Sequence, residues 1–469
     1  MVRRARARRC SPSARCAGPA PLLLLLTTLL PPPPSAPPPR HSPPGLVRSG
    51  VAPDHLEVKQ CTQDFEEVAS SPRFGFLGNV RVGADVSLAE LQERYDAVLF
   101  SYGAASDRDM GVPGEDLAGV CSARAFVSWY NGHPDFADFQ PNLDTEDVVI
   151  VGQGNVAIDC ARILCKTPRE LAGSDIAAHA AAALAASRVK RVHVVGRRGH
   201  VQAAMTMKEL REVTRLEDAH FAVLPEELAA GRTAASLAEV EAGRARKRMD
   251  ALLAEEAGKQ AAGSGGKSRT LALRFLLSPT ACTAAPGRPG ALGALVLERT
   301  RLEGAADKQR AVGTGESVTL PAGLLLKSIG YKSLPIPGLP FDARSATVPN
   351  AAGRVLAAAG AAATVPGVYC AGWVKRGPTG IIGTNITDAR ETVACLLADK
   401  AAGVVGGGGR AGMASLVALL ASRGRRSGQS MDWQGWLKVN AAEVARGAPA
   451  GKPREKVTSV AEMLAIGGH

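Results

Sequence analysis

Residues 148–164 read VVIVGQGNVAIDCARIL, and residues 191–199 read RVHVVGRRG. The first is a run of β-branched residues, a glycine turn and an amphipathic stretch, which predicts strand, tight turn and helix. Gly152, Gly154 and Ala157 form a G-x-G-x-x-A pattern in that context. Gly152 suits the tight turn, Gly154 lets backbone approach a pyrophosphate, and Ala157 lets the helix pack closely on the strand. The helix start then supplies unpaired N–H groups to an anion. The second run predicts a neighbouring strand. An NAD site usually closes that strand with an acid for the ribose 2′-hydroxyl. Here it closes on Arg197 and Arg198, two guanidinium groups suited to a 2′-phosphate, so NADP(H) is the expected coenzyme. A solvated turn is the plain alternative. Glu209, on the next helix, is a candidate to orient the arginines or a ribose hydroxyl, with an exposed helix glutamate as its alternative.

Working outward, strands and helices alternate, which predicts an α/β protein with parallel sheets. GLVRSGVAPDHLEVKQ, 45–60, reads as a loop leading into a helix. FGFLGNVRVG, 74–83, alternates as a strand, and YDAVLFSYGA, 95–104, reads as a buried one. Helices are expected over 155–165, 175–187, from 207, and through 227–263. Further strands are expected over 270–277, 294–302 and 324–331. Residues 367–385, GVYCAGWVKRGPTGIIGTN, predict strand, glycine-rich loop and helix start. GGGG at 406–409 marks a linker.

Composition sets bounds. The chain has 469 residues, enough for two or three domains. Its net charge is +12, but residues 1–53 hold eight arginines and no acid, so the remainder carries only about +4. A globally basic nucleic-acid binder is therefore disfavoured. Basic residues cluster from Arg188 to Arg215 and from Arg244 to Arg248, either as a solvated face or for an acidic partner. Nine cysteines include no C-x-x-C pair, which argues against zinc ribbons, thioredoxin-like redox pairs and a cluster held by this chain. No metal site is expected.

The N-terminus supports three readings. MVRRARARRCSPSARC is arginine-rich and acid-free, as an organellar transit peptide is. PLLLLLTTLL, 21–30, followed by a proline tract, fits a secretory signal and is too short to span a bilayer. The third reading is foreign sequence joined to a shortened core.

VVIVGQGNVAIDCARIL, VVGRRG, MKELRE, GLVRSGVAPDH, SIGYKS, GWVKRGPTGIIGTN and GKPREK together resemble the adrenodoxin reductase family of mitochondrial ferredoxin–NADP reductases. The resemblance runs from about Gly45 to His469. It implies two Rossmann-like domains, with residues 45–107 and 326–469 building the FAD part and 108–325 the NADP part. It implies hydride transfer from NADPH to FAD and single-electron transfer to a [2Fe–2S] ferredoxin serving mitochondrial cytochromes P450 in steroid metabolism. By the same resemblance Gln153, Gly154, Asn155 and Val156 hold the NADP pyrophosphate, and Arg197, Arg198 and Glu209 the 2′-phosphate and ribose. Leu46, Val82, Trp373, Gly380, Ile381 and Ile382 contact the flavin. His55 and Asp159 match a proton network beside it. Arg211, Arg244 and Arg248 face the ferredoxin. A matrix location, with peripheral inner-membrane association, follows.

One departure stands out. The family opens with its own FAD fingerprint, a strand, G-x-G-x-x-G turn, helix and second strand ending in Glu. In its place residues 1–44 carry the apolar run and proline tract, with no such turn and no acid. The pocket is thus expected to keep its isoalloxazine half and lose its pyrophosphate half, so that FAD binds weakly or not at all. The alternative function is then an NADP(H)- and ferredoxin-binding module without electron transfer.

Overall fold

The computed structural model describes residues 45–259, 266–380, 382–406, 409–425 and 428–468. The expectations for residues 1–44 and for Ile381 lie outside the described residues, and the side chain of Ile382 is not described.

The strand Asp147–Val151 is central to a six-stranded, all-parallel sheet. Across that sheet run Val120–Ser122, Leu324–Lys327, Asp147–Val151, Arg191–Val195, Arg269–Arg274 and Ala219–Val223. Its residues alternate between two buried faces. Val148 and Ile150 pack with Ile158, Ile163 and Leu164 of the helix Asn155–Cys165. Val149 and Val151 pack with Leu277, Leu295 and Leu297 of a three-stranded antiparallel sheet on the other side. That sheet comprises Leu277–Ala285, Arg288–Glu303 and Arg310–Pro321.

A second sheet holds four strands among the described residues. Val98–Phe100 pairs in parallel with Thr364–Cys370, and Arg354–Leu356 and Asn350–Ala351 add antiparallel. Its core includes Val82, Leu91, Phe100, Val355, Val368 and Leu416. Among the described residues Val98–Phe100 has a ladder partner on one side only. The helix Leu88–Arg94 starts on a capping box of Ser87 and Glu90.

The tail returns to the start of the chain. Helices Trp433–Gly447 and Val460–Gly467 share a small core around Trp436, Val439 and Met463. The loop between them inserts Lys456 into a buried cluster. Asp175 takes Lys59 at 2.7 Å and Lys456 at 3.2 Å, while Asn131 Oδ1 accepts from both lysines. Beside them Arg48 pairs with the buried Glu443.

Some local expectations need correction. Residues 74–83 form no strand; only isolated bridges occur, Gly78 to Met431 and Val82 to Val86. Three glycines interrupt the run, and its apolar side chains are buried by helices rather than by a ladder. Residues 45–49 form a short helix, not loop. The helical stretch from 227 is three helices, Pro225–Gly231, Ala234–Ala242 and Arg244–Lys259, the first two ending at Gly231 and before Gly243. The strand Arg310–Pro321 escapes a pattern search because its exposed face is rich in Gly, Thr and Glu.

Candidate functional site

The glycine turn lies where the chain leaves the middle of the parallel sheet. From Asp147–Val151 it crosses to Arg191–Val195 on one side, while Leu324–Lys327 returns on the other. Crevices at such switch points, past the carboxyl ends of strands, are where open α/β sheets bind ligands. Gly152 adopts φ 122°, and a Cβ there would lie 2.1 Å from the Ser328 carbonyl oxygen. Only glycine fits. Gly154 caps the helix Asn155–Cys165 without a side-chain hydrogen bond, and its first turn carries no acid. The leading N–H groups of that helix and its positive dipole end therefore face the crevice unoffset.

The side chains around the turn do different work. Gln153 donates from Nε2 to the Arg274 carbonyl at 2.7 Å, and its own carbonyl accepts from Ala204 N at 3.0 Å. Asn155 Oδ1 accepts from Thr206 N at 2.8 Å. Both side chains brace the turn, which leaves their backbone N–H groups for a ligand. Val156 packs on the sheet core. The Thr206 hydroxyl donates to Glu209, which folds that carboxylate back over its own helix start.

Arg197 and Arg198 stand on the loop after Arg191–Val195, both exposed. Neither guanidinium has an ion-pair partner among the described residues. Most other arginines near this edge are paired: Arg274 with Glu227, Arg232 with Asp250, Arg299 with Glu316. Two free, always-charged forks beside an anion-binding turn are the electrostatic arrangement that a second phosphate requires.

Of the flavin-side candidates, Trp373 meets the segment Ser328–Tyr331. That segment leaves the strand against Gly152 and brings Tyr331 onto Trp373, stacked at 5.6 Å with 26° between planes. Trp373 opens a one-turn helix after Gly372, and Gly377 and Gly380 follow with φ 81° and 85°. Leu46 leaves its side chain 44% exposed. Val82 is buried in the second core, so only its backbone is available to a ligand.

His55 and Asp159 are joined by residues that pattern reading missed. Arg162, 1% exposed in mid-helix, holds Asp54 through Nε and Nη2 at 2.8 and 3.0 Å. Its Nη1 lies 2.7 Å from Asp159 and 3.1 Å from Glu212, at angles that make a hydrogen bond with neither. Glu212 in turn meets His55 Nε2 at 2.8 Å, and Lys166 meets Asp54 at 2.8 Å. Burial alone would raise Asp54, but Arg162 and Lys166 more than offset it and hold it well below the usual carboxylate range. Burial wins at Asp159, which is raised despite Arg162 and His55. Burial, then Cys160, Asp107 and Asp159, also push the Tyr331 hydroxyl well above its ordinary value. A lone arginine amid NVAIDCARILC was the available clue, because an arginine inside an otherwise buried helix needs carboxylates.

Arg211 is exposed on Met207–Val213, and Arg244 and Arg248 lie one turn apart on Arg244–Lys259. None has an ion-pair partner among the described residues. Between them Arg246 is tied to Glu239 and Asp307, and Lys247 to Glu241.

No protein-family model matches the chain. Individual proteins do. The chain is 47% identical over 433 residues to the mitochondrial NADPH:adrenodoxin oxidoreductase of Homo sapiens, covering 91% of this chain and 85% of that protein. It is 42% identical to the NADPH-ferredoxin reductase FprA of Mycobacterium tuberculosis, over 91% of this chain and 90% of that one. The solved structure of FprA in complex with NADPH superposes with a TM-score of 0.81 at 40% identity, covering 90% of each chain. The glycine turn, the paired arginines and this breadth of similarity lead to one statement: the chain belongs to the NADPH:adrenodoxin oxidoreductase family of oxidoreductases.

Proposed function

We propose that the chain binds NADPH in the crevice past Gly152 and delivers its electrons, through FAD, to a [2Fe–2S] ferredoxin of the adrenodoxin type. The carrying observation is the pair Arg197 and Arg198, exposed and without ion-pair partners among the described residues, beside a helix start with no side-chain cap. The backbone of Gln153 to Val156 takes the pyrophosphate, and Glu209 lies on the ribose side. When bound, FAD supplies the hydride acceptor and the one-electron donor. Its ring end fits the residues present. Gly377 and Gly380 let backbone approach a flat ring, Trp373 and Tyr331 wall it, and Leu46 is an exposed apolar side chain. Ile381 and Ile382 follow Gly380 in the sequence and are proposed for the same site. His55, Asp159 and Glu212, gathered by Arg162, hold charge and protons at the crevice edge.

The adenosine end has less support. Among the described residues no strand of the second sheet runs into a G-x-G-x-x-G turn, and Val98–Phe100 is paired on one side. The sequence of residues 1–44, which carries no G-x-G-x-x-G turn, motivates the second reading, an NADP(H)- and ferredoxin-binding module without electron transfer. Flavin absorbance in the purified chain, retained through gel filtration, supports the first reading; its loss supports the second.

Arg211, Arg244 and Arg248 form the ferredoxin-facing surface. Such charges steer association and weaken with salt. Reversing Arg211 and Arg244 to Glu raises the KM for ferredoxin about ten-fold or more, with ferricyanide reduction unchanged; equal losses with both acceptors would refute the docking role. The ferredoxin in turn serves mitochondrial cytochromes P450 in steroid metabolism. The similarity to mitochondrial relatives favours a mitochondrial matrix location, with peripheral contact to the inner membrane. No helix of the described residues is long and apolar enough to cross a membrane.

A further inference from the structure

The loop that carries Arg197 and Arg198 is gripped from the antiparallel sheet. Thr300, buried on the strand Arg288–Glu303, donates its hydroxyl to the Arg197 carbonyl at 2.7 Å. The next carbonyl, of Arg198, accepts from Leu276 N at 3.2 Å. The Leu276 carbonyl accepts from Thr300 N at 2.8 Å, which closes a small ring of backbone and hydroxyl around the arginine loop. On either side, Glu227 takes the Phe275 N–H at 2.7 Å and the Gly196 carbonyl takes Leu277 N at 3.0 Å.

The geometry has a cost. Leu276 sits at φ 58°, in the left-handed region that a branched side chain disfavours. Such strain persists where surrounding contacts over-determine it, and it concentrates at functional positions. Here the strained residue turns its N–H to one arginine peptide, while its carbonyl fixes the threonine that holds the other. Each guanidinium itself extends freely from a clamped backbone. A fork whose root is fixed loses less freedom on meeting a phosphate than one on a mobile loop.

We propose that Thr300 is a positioning residue for coenzyme choice: it fixes the peptide of Arg197 so that the guanidinium is aimed at the 2′-phosphate. This rests on the NADPH reading above and names a determinant of the same site. The effect is specific to the phosphorylated coenzyme, because the clamp touches no group that would meet the pyrophosphate or the adenine.

The test is calorimetry on the purified full chain with NADP+ and NAD+, which needs no bound flavin. Thr300→Val keeps the shape and removes the hydroxyl. It is expected to weaken NADP+ binding about ten-fold and leave NAD+ unchanged, while Thr300→Ser restores wild-type NADP+ affinity. If Val proves insoluble, the comparison of Thr300→Ala with Thr300→Ser carries the same decision. Equal loss for both coenzymes, no loss for either, or failure of Ser to rescue overturns the positioning role. A wild-type chain that binds both coenzymes alike overturns the NADPH reading itself. A wild-type preference that survives Thr300→Val overturns only the clamp.

Discussion

In the proposed NADPH site coenzyme choice falls to two guanidinium groups, and their contribution can be bounded. A charge-assisted hydrogen bond contributes about 1.5–3 kcal/mol, or roughly ten- to a hundred-fold in binding. Arg197→Ala and Arg198→Ala together are expected to erase most of the preference for NADP+ over NAD+, measured by calorimetry. Gly152→Ala acts differently. With φ 122° and the Ser328 oxygen in the way, it distorts the turn and weakens both coenzymes alike. Arg162 bears the heaviest structural duty. Removing it as Arg162→Met leaves Asp159 buried beside no arginine and Asp54 with Lys166 alone, at an expected cost of about 3–5 kcal/mol in chemical denaturation. The glycines and Arg197–Arg198 were legible because their chemistry is local: a spacing, then a charge at a strand end. Arg162, Glu212 and Thr300 were not, because a deciding partner of each lies more than 100 residues away: Asp54 for Arg162, His55 for Glu212 and the Arg197 carbonyl for Thr300.

Elements show the same division. Asp147–Val151 and Asn155–Cys165 could be read from their apolar period, since both faces of that strand are buried. The expected strand at 74–83 failed because its apolar residues satisfy burial without a ladder. The helix Ile382–Ala401 presents an unusual surface: Ile386, Val393 and Leu397 are 56%, 43% and 57% exposed on one face. An exposed apolar stripe of this kind promotes self-association. Changing Ile386, Val393 and Leu397 to Lys is expected to lower the apparent mass in light scattering while NADP+ binding holds. Unchanged mass would refute self-association through the stripe.

At the scale of the molecule, the sheets alone do not set how the parts sit together. The Asp175 cluster does: one carboxylate serves two lysines, so a positive charge is left over in a buried place. Burial lowers both Lys59 and Lys456, Lys456 furthest. A base held below its unfolded value costs stability that vanishes above about pH 10.4 and grows as pH falls toward the folded value. Stability should therefore rise with pH between the lowered folded-state values and about pH 10.4, and Lys456→Met should flatten that rise. Asp175→Asn leaves both lysines uncompensated and is expected to cost about 3 kcal/mol or more at neutral pH, read by urea melts. This arrangement had no signature in the sequence, because Lys59, Asp175 and Lys456 belong to three distant segments.

The Asp175 backbone N–H also donates to the Pro53 carbonyl at 3.2 Å, one residue before Asp54 and two before His55. Clipping the last helix and its loop would take Lys456 from Asp175 and so slacken the peptide bearing those two side chains, which makes the far C-terminus a handle on the start of the described chain.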